Sequence, residues 1–402
     1  MFKKTSEIKV MRDVIHGYIH IDLQLIWDLV NTKEVQRLRR IHQLGGNFQV
    51  YHTAEHSRFS HSLGVYEIVR RMCEEIDDLH KALSEEDKVC VMIAALLHDV
   101  GHFPFSHAFE SISKTSHEKM SVAIILGHSE IHEVLQQAGP NVAHNVVRIL
   151  EYTYPNEVVN QMISGQLDAD RMDYLLRDAY FTGTSYGAFD LERVLRTIRV
   201  KDNKLVVKES GIHSVEDYIM ARYHMYWQVY YHPVCRSYEF LLQSIFKRLR
   251  FVYEKDANTL CDIEMLLPFL RQRFSIQDHF DLDENALMYA FSRLSKAKDM
   301  ILKDLASRIL NRQLLEYEEV KSKQKINEIY KHTQDKGYDP AYYCIVDTTS
   351  QSPYQPYEGK EGHNIWILDA EDKVEELSKK SVIVHSLVVG DIKKDTKVYF
   401  PK

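Results

Sequence analysis

Two histidines and two aspartates, His61, His98, Asp99 and Asp170, are the residues of this sequence best suited to carry chemistry. Imidazole and carboxylate donors without a thiolate suit Mn, Fe, Mg or Zn in a catalytic site, whereas cysteine-rich spacings indicate structural zinc. His98 and Asp99 are adjacent at the end of the apolar run VCVMIAALL. Burying such a pair uncompensated is costly, so it needs a partner. The four residues therefore predict a catalytic site for a divalent metal.

The elements that must position this site are mainly helical. The run 89–97 is apolar on nearly every side of a helix, which predicts a buried helix, and Gly101 stands where a C-terminal cap would fall. Only 15 Gly and 9 Pro interrupt 402 residues whose apolar spacing is close to 3.6. We expect helices near 23–30, 33–43, 61–78, 85–98, 117–127, 129–137, 141–151, 156–163, 170–178, 190–197, 214–231 and 234–255, with several more up to about residue 333.

Strands are predicted in three places. Residues 8–22 alternate and carry β-branched side chains, which indicates a short hairpin, and residues 198–209 read as a second hairpin with an Asp-Asn turn. The last 70 residues change character and predict a small α+β subdomain. Its expected strands are 342–347, 364–368, 381–389 and 397–400.

Composition narrows the functional classes. A hydrophobic content of 45% with 27% charged residues is typical of a globular protein, and the net charge of −7 disfavours a protein that coats nucleic acid. The N-terminus lacks the apolar core of a secretory signal and no run of 18 apolar residues occurs, so we expect a cytoplasmic protein. Without CxxC spacing, the cysteines are interpreted as reduced. They are Cys73, Cys90, Cys235, Cys261 and Cys344.

Two arginines lie where they could hold phosphate. Arg58 precedes His61 by three residues, so it would lie in the turn before a helix, close to a phosphate held by the metal; the alternative is a solvent-facing side chain. Arg222, Tyr226 and Tyr230 repeat a four-residue step. Such aromatic stripes are more often core, but the arginine on the same face favours a wall that binds phosphate and stacks a base.

A second polar stripe extends from the predicted metal site. Asp170, Tyr174 and Asp178 are four residues apart and share one helix face, while apolar residues cover the other. The alternative is a solvent-exposed acidic face. The tyrosine within the stripe favours a site that extends from the metal.

Histidines are concentrated near the His-Asp pair, with eight of the 21 between His52 and His117. His102, His107 and His117 cannot all be metal ligands, and such histidines are by default structural. Their position beside a metal favours catalysis for at least one. Glu110 follows His107 by three residues and could orient its imidazole, which would make His107 a general acid.

Five motifs follow one another between about Lys9 and Tyr230: D-V-I-H-G-Y-I, Q-R-L-R-R-I-H-Q-L-G-G, H-S-R-F-S-H-S-L-G-V, L-L-H-D-V-G-H-F-P-F-S-H and D-A-D-R-M-D-Y-L-L-R-D. In this order they resemble the HD-domain deoxynucleoside triphosphate triphosphohydrolases, which include bacterial dGTPases and the vertebrate sterile-alpha-motif/HD-domain enzyme. The resemblance is closest to bacterial members without the sterile-alpha-motif domain.

The resemblance implies roles for individual residues. Its metal ligands are the four residues named above, and its catalytic histidines are His102, His107 and His117, with Glu110 as the expected partner of His107. The substrate-binding residues, with Tyr226 added from the aromatic stripe, are Gln43, Leu44, Arg58, Arg171, Tyr174, Asp178, Arg222, Tyr226 and Tyr230. The residues that match a regulatory nucleotide site are Lys9, Val10, Asn31, Gln36, Arg37 and Arg39.

The resemblance also implies the architecture and the assembly. We expect a mainly α protein, an HD-domain helical phosphohydrolase core with small β-hairpins and a C-terminal α+β subdomain, assembled as a homo-oligomer, by resemblance a tetramer. The expected parts are an N-terminal arm with the regulatory segment (1–50), the HD metal-dependent core (51–180), a helical extension that completes the nucleotide pocket (181–335) and the α+β subdomain (336–402).

The predicted function is metal-dependent hydrolysis of a deoxynucleoside triphosphate to deoxynucleoside and triphosphate, regulated by a nucleotide. Cleavage at the α-phosphorus expels a basic 5′-alkoxide, which requires a general acid. One alternative is another HD-type phosphohydrolase, a nucleotidase or a cyclic-nucleotide phosphodiesterase. The other is a non-catalytic regulator that senses nucleotides or binds nucleic acid. The ligand quartet and the acidic charge balance argue against that regulator.

Overall fold

The computed structural model describes residues 2–256, 263–350, 364–390 and 394–402, and the His107 side chain and Cys261 lie outside the described parts. Helices dominate, which confirms the mainly α prediction. They are α1 Gln24–Val30, α2 Lys33–Arg37, α3 Arg58–Glu75, α4 Asp77–Ala82, α5 Glu85–Leu97, α6 His107–Ser113, α7 His117–Leu126, α8 Glu130–Ala138, α9 Val142–Leu150, α10 Glu157–Ile163, α11 Ala169–Thr182, α12 Leu191–Thr197, α13 Ile212–Met225, α14 Pro233–Lys255, α15 Leu267–Leu270, α16 Ile276–Phe280, α17 Glu284–Leu294, α18 Met300–Leu310, α19 Lys323–Asp335, α20 Pro340–Tyr343, α21 Leu377–Lys380 and α22 Val382–Val389.

Helix α5 lies at the centre of the core. Ser84 begins it with a capping box, in which the Ser84 side chain and Asp87 satisfy each other's backbone N–H groups. Every residue from Lys88 to Leu97 is buried, as expected for a helix that is apolar on nearly every side. Helix α5 packs on α3, and α3 packs on α11. These three helices bring the distant metal-ligand candidates together.

Nine strands form three small sheets. They are β1 Lys4–Asp13, β2 Gly17–Leu23, β3 Ile198–Lys201, β4 Lys204–Lys208, β5 Glu316–Glu319, β6 Ile345–Ser350, β7 Trp366–Leu368, β8 Val374–Glu376 and β9 Lys394–Phe400 in the described parts of the chain. Strands β1 and β2 form the predicted N-terminal hairpin. Strands β3 and β4 form the second, and its turn residues Asp202 and Asn203 have φ of 50° and 56°, as a two-residue hairpin turn requires.

The C-terminal strands pair with strands from earlier in the chain. Strand β7 joins β4 in parallel and carries β8, while β9 lies between β5 and β6. The predicted strand at 381–389 is wrong, because Val382–Val389 is helix α22, whose first turn the Ser381 hydroxyl caps by accepting from the Val384 N–H. β-Branched side chains favour strands only weakly, and this local cap prevails. None of the described helices combines the length and apolarity that a membrane crossing requires.

Candidate active site

The end of α5 presents His98 and Asp99. The helix ends at Leu97, and the chain turns at once into the loop before α6. Gly101 is not the left-handed cap that the sequence predicts, since its φ is not positive. It instead allows a close approach: a Cβ there would lie 2.3 Å from the His117 carbonyl oxygen and from the Ser121 nitrogen. Gly101 thus lets α7 pack directly against the end of α5.

The structure brings the four predicted metal ligands together. His61 on α3, His98 and Asp99 have donor atoms that all lie within 4.8 Å of one another. Asp170 at the start of α11 places its Oδ1 3.0 Å from His61 Nε2 and 3.6 Å from His98 Nε2. Two nitrogens and two carboxylates without sulfur fit a divalent transition metal or magnesium.

Both histidines that are candidate metal ligands are oriented by their other ring nitrogen. The His98 Nδ1–H donates to the Ala95 carbonyl at 2.8 Å, and the His61 Nδ1–H donates to Asp173 Oδ2 at 2.8 Å. Each Nε2 therefore faces the cluster, and the two Nε2 atoms are 3.2 Å apart. This fixing of tautomer and ring by a second partner is typical of metal-binding histidines.

Asp173 also anchors the N-terminal hairpin. Its Oδ1 lies 2.7 Å from His16 Nε2, and Arg177 donates to both of its oxygens while also binding Asp13. A Cβ on Gly64 would lie 1.9 Å from Asp173 Oδ1, so the absence of a side chain at Gly64 makes this packing possible. The same aspartate that orients His61 therefore also holds the turn of the N-terminal hairpin.

The charges of the cluster are mutually compensated. Burial lowers the pKa of His61, but hydrogen bonds to Asp170 and Asp173 outweigh it and raise that pKa to about 10. Burial raises the pKa of Asp99, but His98, Arg58 and neighbouring groups hold it well below its ordinary value. Metal binding to such groups displaces protons from the imidazoles, so its affinity falls with falling pH.

Two of the three catalytic histidine candidates stack beside the cluster. The His102 and His117 rings are 3.9 Å apart at 17°, and His102 Nε2 lies 3.2 Å from Asp99 Oδ1. Burial and the nearby Arg58 lower the pKa of His102 well below its ordinary value. The His117 Nδ1 lies 2.8 Å from Glu110 Oε1. The predicted partnership of Glu110 with His107 stays a prediction, because the His107 side chain is outside the described residues.

A cavity of about 400 Å³ lies next to the cluster. Its wall includes six predicted substrate residues in addition to Tyr226: Gln43, Leu44, Arg58, Tyr174, Asp178 and Tyr230. The Arg58 guanidinium is an ion-pair partner of Asp99, so this side chain connects the cavity to the metal cluster. A second cavity of about 360 Å³ is lined by His98, Asp99 and Asp170 together with His117 and Lys119.

The aromatic wall and Asp178 form one connected unit. The Tyr230 hydroxyl donates to Asp178 Oδ2 at 2.8 Å, and His56 Nε2 lies 2.7 Å from Asp178 Oδ1. The Tyr230 ring lies 6.1 Å from Tyr174 and 5.2 Å from Tyr226.

Residues 226–230 form one π-helical turn after α13. Such turns are often found at functional sites. The sequence predicted a continuous helix over 214–231 and did not anticipate this irregularity.

The other two phosphate candidates meet at the turn before α11. Arg171 binds Asp168 and donates to the Gly165 carbonyl at 2.5 Å. Arg222 Nη1 donates to Gln166 Oε1 at 2.8 Å, and its Nε is buried without a hydrogen-bond partner. Neither arginine lines the cavity that Arg58 borders.

The predicted regulatory residues do not all reach one surface. Gln36 donates to the Val30 carbonyl at 2.8 Å, and Arg39 Nε donates to Gln36 Oε1 at 2.8 Å. Asn31 lies at the end of α1, and Lys9 and Val10 lie on β1. Arg37 is 1% exposed and its guanidinium donates to the Leu282 and His102 carbonyls, so the structure places it in the interior. Burial lowers the pKa of Arg37 to about 9.

Sequence reasoning missed several residues of this site. Asp173 lies in the same motif as Asp170 and His16 lies in D-V-I-H-G, but their pairing spans 157 positions and has no local signal. The cavity is also lined by Ser106, which accepts from Arg58 Nη2 at 2.8 Å, and by Tyr238. The only sequence signal for His16 and Asp173 is that each is a polar residue within one of the five motifs.

A helical core that joins two histidines and two aspartates at a helix end is typical of a metal-dependent phosphohydrolase. Residues 58–178 match the family model of the HD domain, and residues 189–339 match that of the HD-associated region. The chain is 44% identical over 405 residues to the uncharacterised protein YwfO of Bacillus subtilis, covering 99% of this chain and 93% of that protein. The chain therefore belongs to the HD-domain family, among the members that carry the HD-associated region.

More distant relatives agree with this assignment. A SAMHD1 homologue of Dictyostelium discoideum, named as a deoxynucleoside triphosphate triphosphohydrolase, is 32% identical over 61% of this chain and 50% of its own length. A crystal structure of a phosphohydrolase from Bacteroides thetaiotaomicron superposes with a TM-score of 0.87 at 27% identity, covering 98% of this chain and all of the other. These findings confirm the HD-domain phosphohydrolase core that the motifs predicted.

Proposed function

We propose that this protein hydrolyses deoxynucleoside triphosphates to deoxynucleoside and inorganic triphosphate with the help of a divalent metal. The observation that carries the proposal is the Arg58 side chain, which pairs with Asp99 of the metal cluster and also lines the roughly 400 Å³ cavity walled by Tyr174 and Tyr230. A substrate with both a polyphosphate and an aromatic base suits this combination of groups. The SAMHD1-type relatives support the choice of substrate class.

The proposed metal ligands are His61, His98, Asp99 and Asp170. A divalent ion bound there supplies Lewis-acid activation of water and neutralises phosphate charge. Among the residues of the chain, Arg58 holds phosphate oxygens, while Gln43 and Asp178 receive the sugar hydroxyl. The remaining proposed substrate residues are Leu44, Arg171, Tyr174, Arg222, Tyr226 and Tyr230.

We assign proton donation to the leaving 5′-oxygen to His107, and general-acid catalysis contributes on the order of 10²–10⁴ in rate. Changing His107→Ala should therefore lower kcat by that factor while metal content and nucleotide binding persist. His117→Ala, which removes the described partner of Glu110, is the matched comparison and should retain more activity. A fully active His107→Ala would remove this histidine from the mechanism.

The deciding experiment for the function is a panel of deoxynucleoside triphosphates with Mn, Fe, Mg or Zn, with chromatography of the products. Inorganic triphosphate plus deoxynucleoside supports the proposal. Orthophosphate would indicate a nucleotidase, and hydrolysis of cyclic nucleotides alone would indicate a phosphodiesterase. Binding of nucleotide or nucleic acid without turnover of any substrate would indicate a regulator.

We also propose a regulatory nucleotide site at the N-terminal surface and a homotetrameric assembly. The proposed site contains Lys9, Val10, Asn31, Gln36 and Arg39, without the interior Arg37. Repeating the panel with a second nucleotide tests regulation, and light scattering with and without that nucleotide tests the assembly.

A further inference from the structure

Three consecutive residues before and at the start of α17, Leu282, Asp283 and Glu284, contact segments that lie more than 170 positions earlier in the chain. We call them the clasp. The Leu282 carbonyl accepts from Arg37 Nε at 3.1 Å and from Nη2 at 2.5 Å, while Nη1 of the same guanidinium donates to the His102 carbonyl at 2.9 Å. Asp283 pairs with Arg40. The clasp belongs to the HD-associated region, and the segments it holds precede that region.

Glu284 is the central contact of the clasp. Its side chain is 5% exposed, and its Oε1 accepts from the backbone N–H of His42 at 3.0 Å and of Phe105 at 3.3 Å. Its Oε2 pairs with the His42 imidazole. His42 directly precedes two cavity-lining residues, Gln43 and Leu44, and Phe105 itself lines the cavity. One buried carboxylate therefore joins two separate segments of the cavity wall.

The turn that Glu284 holds has an unfavourable backbone conformation. Phe105 and Ser106 have φ of 53° and 46°, in the left-handed region that residues with a side chain rarely adopt. Phe105 and Ser106 are not in a two-residue hairpin turn such as Asp202-Asn203, and outside such turns a strained pair persists only where the surroundings over-determine it. The Glu284 carboxylate on the Phe105 amide and the Arg58 guanidinium on the Ser106 hydroxyl provide that restraint.

We propose that Glu284 is a positioning residue that fixes the turn 103–106 against the segment 42–44 and thereby sets the geometry of the substrate cavity. This inference rests on the proposed function in one respect, that the cavity holds the substrate. Glu284 contacts no metal-ligand candidate through a described hydrogen bond. The clasp thus gives the associated region a specific task, which is to complete the cavity wall rather than the metal site.

The test compares Glu284→Gln with Glu216→Gln. Glutamine keeps the volume of residue 284 but loses the charge that His42 and two amides share. Glu216 is a matched control, because it is also a buried carboxylate of the associated region, bonded to Ser381 and His213 away from the cavity. We expect kcat/KM to fall about 10- to 100-fold in Glu284→Gln, as small misplacements of substrate-positioning groups do. Metal affinity should stay within about twofold of the parent.

Amide hydrogen exchange provides a readout that does not need substrate. In the parent, the Phe105 amide should be protected although it lies outside any helix, and Glu284→Gln should accelerate exchange at 42–47 and 102–106. An unprotected Phe105 amide in the parent overturns the proposal even if the variant does not fold. Faster exchange with unchanged kcat/KM, or loss of metal together with activity, overturns it as well. If no deoxynucleoside triphosphate is hydrolysed by the parent, the proposed function fails while exchange still decides the clasp.

Discussion

The candidate metal cluster and the proposed substrate cavity are adjacent, but they differ in how completely their polar atoms are hydrogen-bonded. In the cluster, His61 and His98 each have the second ring nitrogen bonded to protein, and Asp99 pairs with Arg58. In and beside the cavity, buried polar atoms have no hydrogen-bond partner among the described residues. They are Gln43 Oε1, Arg58 Nε and the Tyr238 hydroxyl.

This contrast suggests different roles for the two regions: the cluster binds the metal, and the cavity determines the affinity for substrate. An unpartnered buried polar atom costs about 1–3 kcal/mol, so the cavity is stabilised when a ligand supplies the missing partners. The two candidate ligand histidines are already oriented by their second ring nitrogens, so metal binding there would require no change of their tautomer or ring orientation. Variants in the cluster should therefore affect metal content, and variants in the cavity should affect substrate affinity.

The largest effect is expected from Asp99→Ala. This change removes one proposed ligand and leaves Arg58 beside the cluster without its partner, so a cation is no longer favoured there. Metal analysis of the purified protein should show loss of the ion, and triphosphate release should fall below detection. Asp217→Ala on the exposed face of α13 is the control. Full metal content in Asp99→Ala would end the distinction between the two regions.

The helical framework could be predicted from the sequence because its signals are local. The burial of α5 follows from one apolar run, and the quartet follows from the motifs around His61, His98 and Asp170. The predicted strand at 381–389 is wrong because the prediction used only the β-branched composition and did not consider Ser381 as a helix cap.

Contacts between distant segments of the chain could not be predicted from the sequence. The His16–Asp173 pair and the Glu284 contacts with the segments at 42 and 105 join residues that no motif relates. The interior position of Arg37 is a similar case, since an arginine in a basic stretch is normally exposed. Such placements depend on how helices pack, and they account for most of the support around the site.

The second-largest effect is expected from a change of Asp173, the carboxylate that orients His61 in the metal cluster. Asp173→Asn keeps the shape of the side chain but removes the charge shared by His61, His16 and Arg177. Changes of this kind lower metal affinity by about 10- to 100-fold. A metal titration monitored by calorimetry measures the shift, and hydrogen exchange of the β1–β2 hairpin should rise with it.

Glu67→Gln is the matched control for Asp173→Asn. Glu67 is also buried and also holds the hairpin, through the His20 backbone and side chain, but it contacts Arg70 rather than a metal-ligand candidate. It should loosen the hairpin without changing metal affinity. Equal losses of metal in both variants would show that hairpin docking, rather than Asp173, supports the cluster.

A smaller effect is expected from Tyr230→Phe in the cavity. The change removes the hydroxyl that donates to Asp178, while the ring remains in the cavity wall. Loss of one such hydrogen bond is worth about 1 kcal/mol, so KM should rise about fivefold with metal content unchanged. Tyr180→Phe, whose side chain is exposed, should leave KM unaltered. A change in metal affinity in Tyr230→Phe would contradict the different roles of the two regions.

The smallest effect is expected in the pH dependence of the free energy of unfolding, through the His42–Glu284 pair beside the cavity. Burial lowers the pKa of His42, but Glu284 and, more weakly, Glu55 outweigh it and raise that pKa above its ordinary value of 6.5. A raised pKa in the folded protein means that protonation stabilises the fold, so this contribution is complete below pH 6.5 and is lost as the pH rises through the raised value. The parent's advantage in unfolding free energy over Glu284→Gln should therefore shrink with rising pH, by under about 1 kcal/mol for a partly exposed pair. Denaturant unfolding at several pH values measures this difference, and an advantage that stays constant as the pH rises through the titration of His42 would show that the clasp depends on the two backbone amides and not on the charged pair.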